Sequence, residues 1–413
     1  LSEERLAEAS NFDPENDELL GDHEGSAVYT DELSAENEDN GLTLSDLRGM
    51  DYYDENWDLL LDQLDYSSEE LDTFLYNAAF LTGQISSIGK PESVDHDGPQ
   101  GWGLTGMDGG PDTCAYCSEV VVASTWNEDL AYDYGAAIGQ EALTIGYTGW
   151  YGPGVNLHRT AFNGRNFEYY SEDALLSGKM AAGCVSGAAD QGVVAIMKHF
   201  AMNEYEGPSC SMTVWANEQG IREVYLKAFE IPVKEARMTI SYIADENGTM
   251  ATKTMRATMG LMGAANMIGT KWCSANYPLL TNVTRGEWGY QGMFSTDMFL
   301  QCTPNIDTKV FRAGNNQKMW YMPPTETMDL DNATNRQAVR NAVKNISYAY
   351  VNSNLMQGVA PGSSVEYGMS PWMIGLIIGD AAVVVFVLAM IAVMIRRGRD
   401  EKVHPEKYRG SGK

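Results

Sequence analysis

The stretch that decides the fold is Gly192-Val-Val-Ala-Ile-Met-Lys-His-Phe200, a short apolar run that ends in a charged pair, Lys198 and His199. On a strand, adjacent side chains point to opposite faces, so one of the two must be turned by the strand end or by a bulge. Lysine is rarely buried without a role, which makes this pair a candidate for function. The same layout recurs along the chain in one order. Asp97 sits in SVDHDGPQG (93–101), Arg165 in GVNLHRTAFNGRNFE (154–168) and Asp297 near the end of GYQGMFSTDM (289–298). If these runs are parallel strands, polar groups from distant sequence meet at one end of a sheet, as they do in a barrel enzyme.

Working outward, short apolar runs alternate with amphipathic stretches. Strands are expected at Ser93 to His96, Val120 to Ala123, Thr148 to Trp150, Val193 to Met197, Gly260 to Ala264 and Met293 to Thr296. Helical spacing appears at Trp57 to Leu61, Leu71 to Leu81, Asn127 to Leu143, Glu172 to Ala189, Ile221 to Ala236, Pro278 to Trp288 and Asn332 to Leu355, with Thr125 and Ser171 placed as N-caps. This alternation predicts the α/β class, most economically a TIM-type (β/α) barrel with outer helices. An open doubly wound sheet is the alternative, but no glycine-rich phosphate loop follows any candidate strand.

A chain of 413 residues, 44% hydrophobic, has ample material for one barrel-sized core. The formal net charge of −29 is uneven, with fourteen Asp or Glu against one Arg between Leu1 and Asp39. Nucleic acid is therefore not an expected partner. Residues 1–41 read as an acidic linker or tail. Asp13, Glu15, Asp17 and Glu24 fall at calcium-loop spacing, but Glu18 stands where the sharp turn needs glycine, so no metal site is expected there. Six cysteines are scattered, and the lone CxxC, Cys114 to Cys117, lacks a second ligand pair for zinc. No cofactor is implied.

Met373 to Ile395 reads MIGLIIGDAAVVVFVLAMIAVMI, long enough to cross a bilayer, which takes about 20 apolar residues. Its one charge, Asp380, lies toward the first third, and Arg396, Arg397 and Arg399 follow it. The positive-inside bias then puts the C-terminus in the cytoplasm. The expected organisation is an acidic linker (1–41), a barrel (42–330), a closing helix and stalk (331–370), a single transmembrane helix (371–397) and a basic cytoplasmic tail (398–413). The expected location is the cell membrane, with the barrel facing outward.

Each candidate site residue has a plainer explanation. Asp297 could be a helix cap, Arg165 a surface ion pair and Asp97, before Gly-Pro, a turn cap. Lys198 at a strand end would also suit a Schiff-base aldolase. Their order and surroundings narrow the choice. Asp97-Gly-Pro-Gln-Gly, Gly164-Arg-Asn-Phe-Glu with Ser171-Glu-Asp, Lys198-His-Phe with Asn203 and Glu206, Ile221-Arg-Glu-Val-Tyr-Leu with Phe229, Leu279-Leu-Thr with Trp288-Gly-Tyr, and Ser295-Thr-Asp-Met together resemble glycoside hydrolase family 3, in its β-glucosidase-like branch. The resemblance runs from about Leu42 to Gly314.

It implies a retaining glycosidase acting on a β-glycoside or oligosaccharide with a terminal β-linked sugar. Asp297 would be the nucleophile, and Asp97, Arg165, Lys198 and His199 would bind the sugar hydroxyls. The sequence departs from the family pattern at Met262-Gly-Ala-Ala265-Asn266, which lacks the usual aromatic, and at a polar insertion from Tyr242 to Ala257, expected as a rim loop near the outer sugar subsites. The family's acid/base glutamate often comes from an α/β sandwich domain. Thr30 to Asp54 resembles the joint that follows such a domain in permuted relatives, so the sandwich is expected upstream. Glu204, Glu206 and Glu218 are the candidates within the chain to stand in for it. A non-catalytic sugar-binding or sensing protein on the same scaffold is the alternative.

Overall fold

The computed structural model describes residues 2–4, 7, 17–103, 113–205, 212–298, 307–321, 327–363 and 369–408. The chain forms two compact units, Leu1–Ser364 and Val365–Lys413.

The first unit is built on a six-stranded sheet. In chain order the strands are β1 (Leu81–Thr82), β2 (Ser93–Asp97), β3 (Gly149–Tyr151), β4 (Val194–Phe200), β5 (Thr213–Val214), β6 (Arg237–Ile243), β7 (Met250–Arg256), β8 (Gly260–Gly263), β9 (Met267–Ile268), β10 (Lys271–Trp272) and β11 (Met293–Thr296). The large sheet has the order β1-β2-β3-β4-β8-β11, antiparallel at β1 and parallel across the rest. All seven residues of β4 are buried, as expected of a parallel strand covered on both faces. The sheet is curled. Asn316 N donates to Phe294 O at 2.9 Å, and Lys318 N donates to Leu75 O at 2.7 Å, so irregular backbone bridges from β11 back toward the segment ahead of β1. The result is a TIM-barrel-like α/β fold, with the regular sheet as a half-barrel.

Helices fill the crossovers. The helix α1 (Glu128–Ile145) starts at Asn127, whose side chain accepts from Asp129 N and Leu130 N, and it stops at the left-handed Gly146. The helix α2 (Ala174–Asp190) is capped by Asp173. The expected caps Thr125 and Ser171 sit two residues further out. Each hydroxyl accepts from the backbone N–H of the true cap residue, Asn127 or Asp173. The two helices meet through glycine: a Cβ on Gly135 would lie 1.9 Å from Cys184 O, and one on Gly187 would lie 2.0 Å from Tyr132 O. Further along, α3 (Lys227–Glu235) leads to β6, and α4 (Ala333–Val351) packs beneath the sheet, where Tyr350 donates to buried Asp95 at 2.7 Å.

Four expectations are corrected. Val120 to Ala123 belongs to a short helix, Glu119–Ala123, because β2 and β3 are direct neighbours and leave no slot for a strand between them. The apolar spacing from Leu71 to Leu81 covers a helix that ends at Tyr76 and then strand β1. The polar insertion is a regular hairpin, β6 paired with β7 over seven residues, and not a rim loop. It leaves the fold ahead of β8, on the face where strands begin. There Thr239 N donates to Asp190 at the end of α2, and Lys253 bonds Gly49 O and Asp51. The acidic residues 17–41 also differ from a trailing linker. Leu20 is buried, Arg312 donates to its carbonyl, and Asp22, Thr30 and Glu36 bond Thr334 and Arg336 on α4.

The second unit contains one helix, α5 (Pro371–Val403), of 33 residues, long and apolar enough to cross a membrane by length and composition.

Candidate active site

Because β2, β3, β4, β8 and β11 are parallel, their carboxyl ends lie on one face. Asp97 is the last residue of β2, Lys198 and His199 lie just before the last residue of β4, and Asp297 directly follows β11. Arg165 comes from the loop after β3, at the entry to a single 3-10 turn, Asn166–Glu168. The strand-end bulge expected at Lys198 and His199 is present. The register of β4 against β8 slips between Met197 and Phe200, and both side chains are buried.

Three of these groups, Asp97, Lys198 and Arg165, are joined by charge with Glu168. Lys198 Nζ lies 2.6 Å from Asp97 Oδ1 and 3.7 Å from Glu168 Oε2. Arg165 pairs with the other oxygen of Glu168. The Gly98 N–H also donates to Asp97 Oδ1, at 2.9 Å. Burial raises the Asp97 carboxyl, but the Lys198 charge and these hydrogen bonds outweigh it, leaving Asp97 below its ordinary range. Burial likewise lowers Lys198, and the charges of Asp97 and Glu168 reverse that, so its ammonium is held above the usual value.

His199 is tied in differently. Burial, reinforced by the Arg165 and Lys198 charges, pushes it well below the normal histidine range, so the ring is neutral. Tyr169 Oη lies 3.1 Å from its Nδ1. Asn156 holds its backbone from both sides, accepting from His199 N at 2.7 Å and donating to His199 O at 3.0 Å.

On β11, Asp297 N donates to Gly263 O at 3.1 Å, and Met298 N donates to Asp297 Oδ1 at 2.7 Å. The carboxylate of Asp297 thus stands at the end of the strand next to β8, which itself borders β4. Ala265, just past β8, is 4% exposed.

Of the candidates for an acid/base within the chain, Glu206 lies outside the described residues. Glu218 opens the short helix Glu218–Gly220 and ion-pairs with Arg222 on the surface. Glu204 is different: it is 6% exposed and accepts from Asn156 at 3.3 Å and Leu157 N at 3.5 Å. Burial pushes it up to about 7, against those hydrogen bonds. It lines a cleft of about 310 Å³ with Arg159, Tyr205, Trp215 and Tyr225.

Residue-type reasoning overlooked three groups. Glu168 was in view as part of the Gly164-Arg-Asn-Phe-Glu motif, three residues after Arg165, yet its bridging of two cations depends on the turn. Asn156 and Glu119 carry no local signal. Among the described residues no group of three or more His, Cys, Asp or Glu is arranged to hold a metal ion.

The fold and this cluster define a barrel-type α/β protein with a polar, ion-paired site at the carboxyl ends of its strands. The glycosyl hydrolase family 3 N terminal domain matches residues 104–310, half of the sequence, and the chain belongs to that family. Beta-glucosidase A of Butyrivibrio fibrisolvens is 37% identical over 218 residues, covering 53% of this chain and 24% of that enzyme. A beta-glucosidase of Rhizobium radiobacter is 33% identical over 244 residues, 59% of this chain and 27% of the relative. Among solved structures, beta-glucosidase 3B from Thermotoga neapolitana in complex with glucose superposes with a TM-score of 0.59 at 29% identity, over 72% of this chain and 43% of that one. A beta-glucosidase from Paenibacillus barengoltzii gives a TM-score of 0.63 at 25% identity, over 82% and 38%. The chain therefore spans about a quarter of the length of the curated relatives it matches.

Proposed function

We propose that this chain carries the sugar-binding and nucleophilic half of a retaining β-glycosidase that releases a terminal β-linked glucose. The observation that carries the reading is the cluster at the strand ends, in which Asp97, Lys198, Glu168 and Arg165 are joined by ion pairs on the same face as Asp297. Asp97 presents a charged acceptor, and Lys198 and Arg165 present charged donors, at fixed positions suited to ring hydroxyls. His199, neutral and braced by Asn156 and Tyr169, adds a further polar contact. Such bonds strengthen as the sugar flattens toward an oxocarbenium-like transition state.

In this mechanism Asp297 attacks the anomeric carbon as the aglycone departs. The glycosyl–carboxylate ester that forms is then hydrolysed by water. Retaining chemistry requires a second carboxyl about 5–5.5 Å from the nucleophile to protonate the leaving oxygen. We assign that role to a separate sandwich domain, in keeping with relatives much longer than the segment they share with this chain. The helix α5 serves as a single membrane anchor, with the barrel outside and the C-terminus in the cytoplasm. Its length and composition, and the arginines at 396, 397 and 399, support this reading.

If a separate domain supplies the acid, these 413 residues assayed by themselves should cleave activated aryl β-glucosides far faster than disaccharides, because a good leaving group needs no protonation. A 2-fluoro aryl glucoside traps the intermediate, and peptide mass spectrometry locates it. Label on any residue other than Asp297 would sink the assignment. The buried Ala265, where family members carry an aromatic, favours a second reading as a non-catalytic glucose sensor. Glucose binding with no trapped intermediate and no aryl glucoside turnover selects it.

A further inference from the structure

Glu119 opens the short helix Glu119–Ala123 and is fully buried behind the ion-paired cluster. Its Oε1 accepts from Gly154 N at 3.2 Å. Gly154 pairs with both Lys198 and Tyr169, and a Cβ on it would lie 2.2 Å from Glu168 O, so these segments are in tight contact. Glu119 Oε2 makes no hydrogen bond among the described residues. Among the described residues, the charges that act on this carboxyl include those of Glu168, Lys198 and Arg165. Its other titratable neighbours are Tyr134 on α1, Tyr170 ahead of α2 and Cys184 on α2, all pushed up by burial and so uncharged near neutrality.

The charge count then matters. Asp97 and Glu168 are already matched by Lys198 and Arg165. A third carboxylate in the same dry site has no further cation paired with it among the described residues, and an uncompensated buried charge is costly. Burial and the nearby Glu168 charge accordingly raise Glu119 well above the usual carboxylate range.

We propose, resting on the sugar-clamp reading above, that Glu119 is a positioning residue that works as a neutral carboxylic acid. It anchors the Gly154 backbone beside Lys198, and its ionisation draws the Lys198 ammonium away from Asp97. Sugar affinity is then full while Glu119 keeps its proton and falls as pH rises through its ionisation.

The test uses the full chain in detergent micelles, as wild type, Glu119→Gln and Glu119→Asp. Glucose affinity by calorimetry and the ¹⁵N resonance of Lys198 Nζ are followed upward from about pH 5, above the ordinary carboxylate range. Wild type and Glu119→Asp should lose glucose affinity by about tenfold toward alkaline pH, the size expected of one charge added nearby. Glu119→Gln should change by less than about twofold and show no matching inflection at Lys198. Parallel profiles for wild type and Glu119→Gln overturn the inference. If no protein binds glucose at any pH, the sugar-clamp reading fails, and the Lys198 resonance still decides the role of Glu119. If Glu119→Gln does not fold, an inflection that stays in place in Glu119→Asp overturns the proposal, and one that moves upholds it.

Discussion

Replacing Lys198 with methionine tests the charge balance of the site directly. The substitution keeps most of the side-chain volume but removes the cation from a position 3% exposed, leaving Glu168, 4% exposed, and Asp97, 32% exposed, without their shared partner. Removing one member of a buried pair costs about 3–5 kcal/mol, and partial exposure of Asp97 reduces this to about 3 kcal/mol at neutral pH. The sign of the pH dependence follows from Asp97. In the wild type its carboxyl is held below the ordinary range, so its contribution is present at neutral pH and lost as pH falls through that depressed value. In Lys198→Met, burial is still opposed by the Gly98 N–H and the Arg165 charge but no longer by the Lys198 ammonium, so the carboxyl rises and protonation relieves it. The deficit should therefore be largest at pH 7 and shrink toward about pH 4. Urea unfolding of the protein, followed by near-ultraviolet circular dichroism at both pH values, measures it. The double variant with Asp97→Asn should recover about 1 kcal/mol or more relative to additivity. A deficit under about 0.5 kcal/mol at pH 7, or one that does not vary with pH, would refute the reasoning.

Three further outcomes follow from other parts of the fold. Glu204, raised to about 7 by burial, contributes stability that is fully present below its unfolded value and lost as pH rises through about 7. Glu204→Gln should remove that slope, so unfolding midpoints of the two proteins should diverge in favour of Gln between about pH 5 and 8, and coincident curves contradict it. Gly187→Val places carbon where Tyr132 O now sits 2.0 Å from the Cβ position, and should lower the unfolding free energy by about 2 kcal/mol or more in the same urea assay. Replacing residues 238–255 of the β6–β7 hairpin with a Gly-Gly turn should leave glucose affinity within about twofold, because the hairpin sits on the face opposite the site.

Much of this organisation was legible in the residue pattern. The runs ending at Asp97, Lys198 and Asp297 are strands, and they are parallel, so residues separated by two hundred positions share one face. Where pattern failed, a longer-range constraint overrode it. The valines at 120–122 have strand propensity, but the direct pairing of β2 with β3 leaves them only a helical place. The polar residues from 242 to 257 look like a loop, yet they continue a hairpin whose position is set by contacts with Gly49, Asp51 and Asp190. The acidic stretch 17–41 looks like a free linker by composition. It is bound because basic residues 250 or more positions away, at Lys271, Arg312 and Arg336, lie beside it.

Local patterns decide which segments are strands and helices, because hydrophobic period and capping act over a few residues. They also supplied the acids and bases at the strand ends, since those positions are read directly from where each apolar run stops. What only the tertiary structure decided is how those charges are partnered. Glu168 bridges Arg165 and Lys198, Asn156 links His199 to Glu204, and Glu119 lies behind them with one oxygen on Gly154 N and the other without a hydrogen bond among the described residues. These relations join residues from five separate segments, and they exist only once the sheet has curled. The energy of a buried charge depends on which others share its dry surroundings, and no stretch of sequence contains that information by itself.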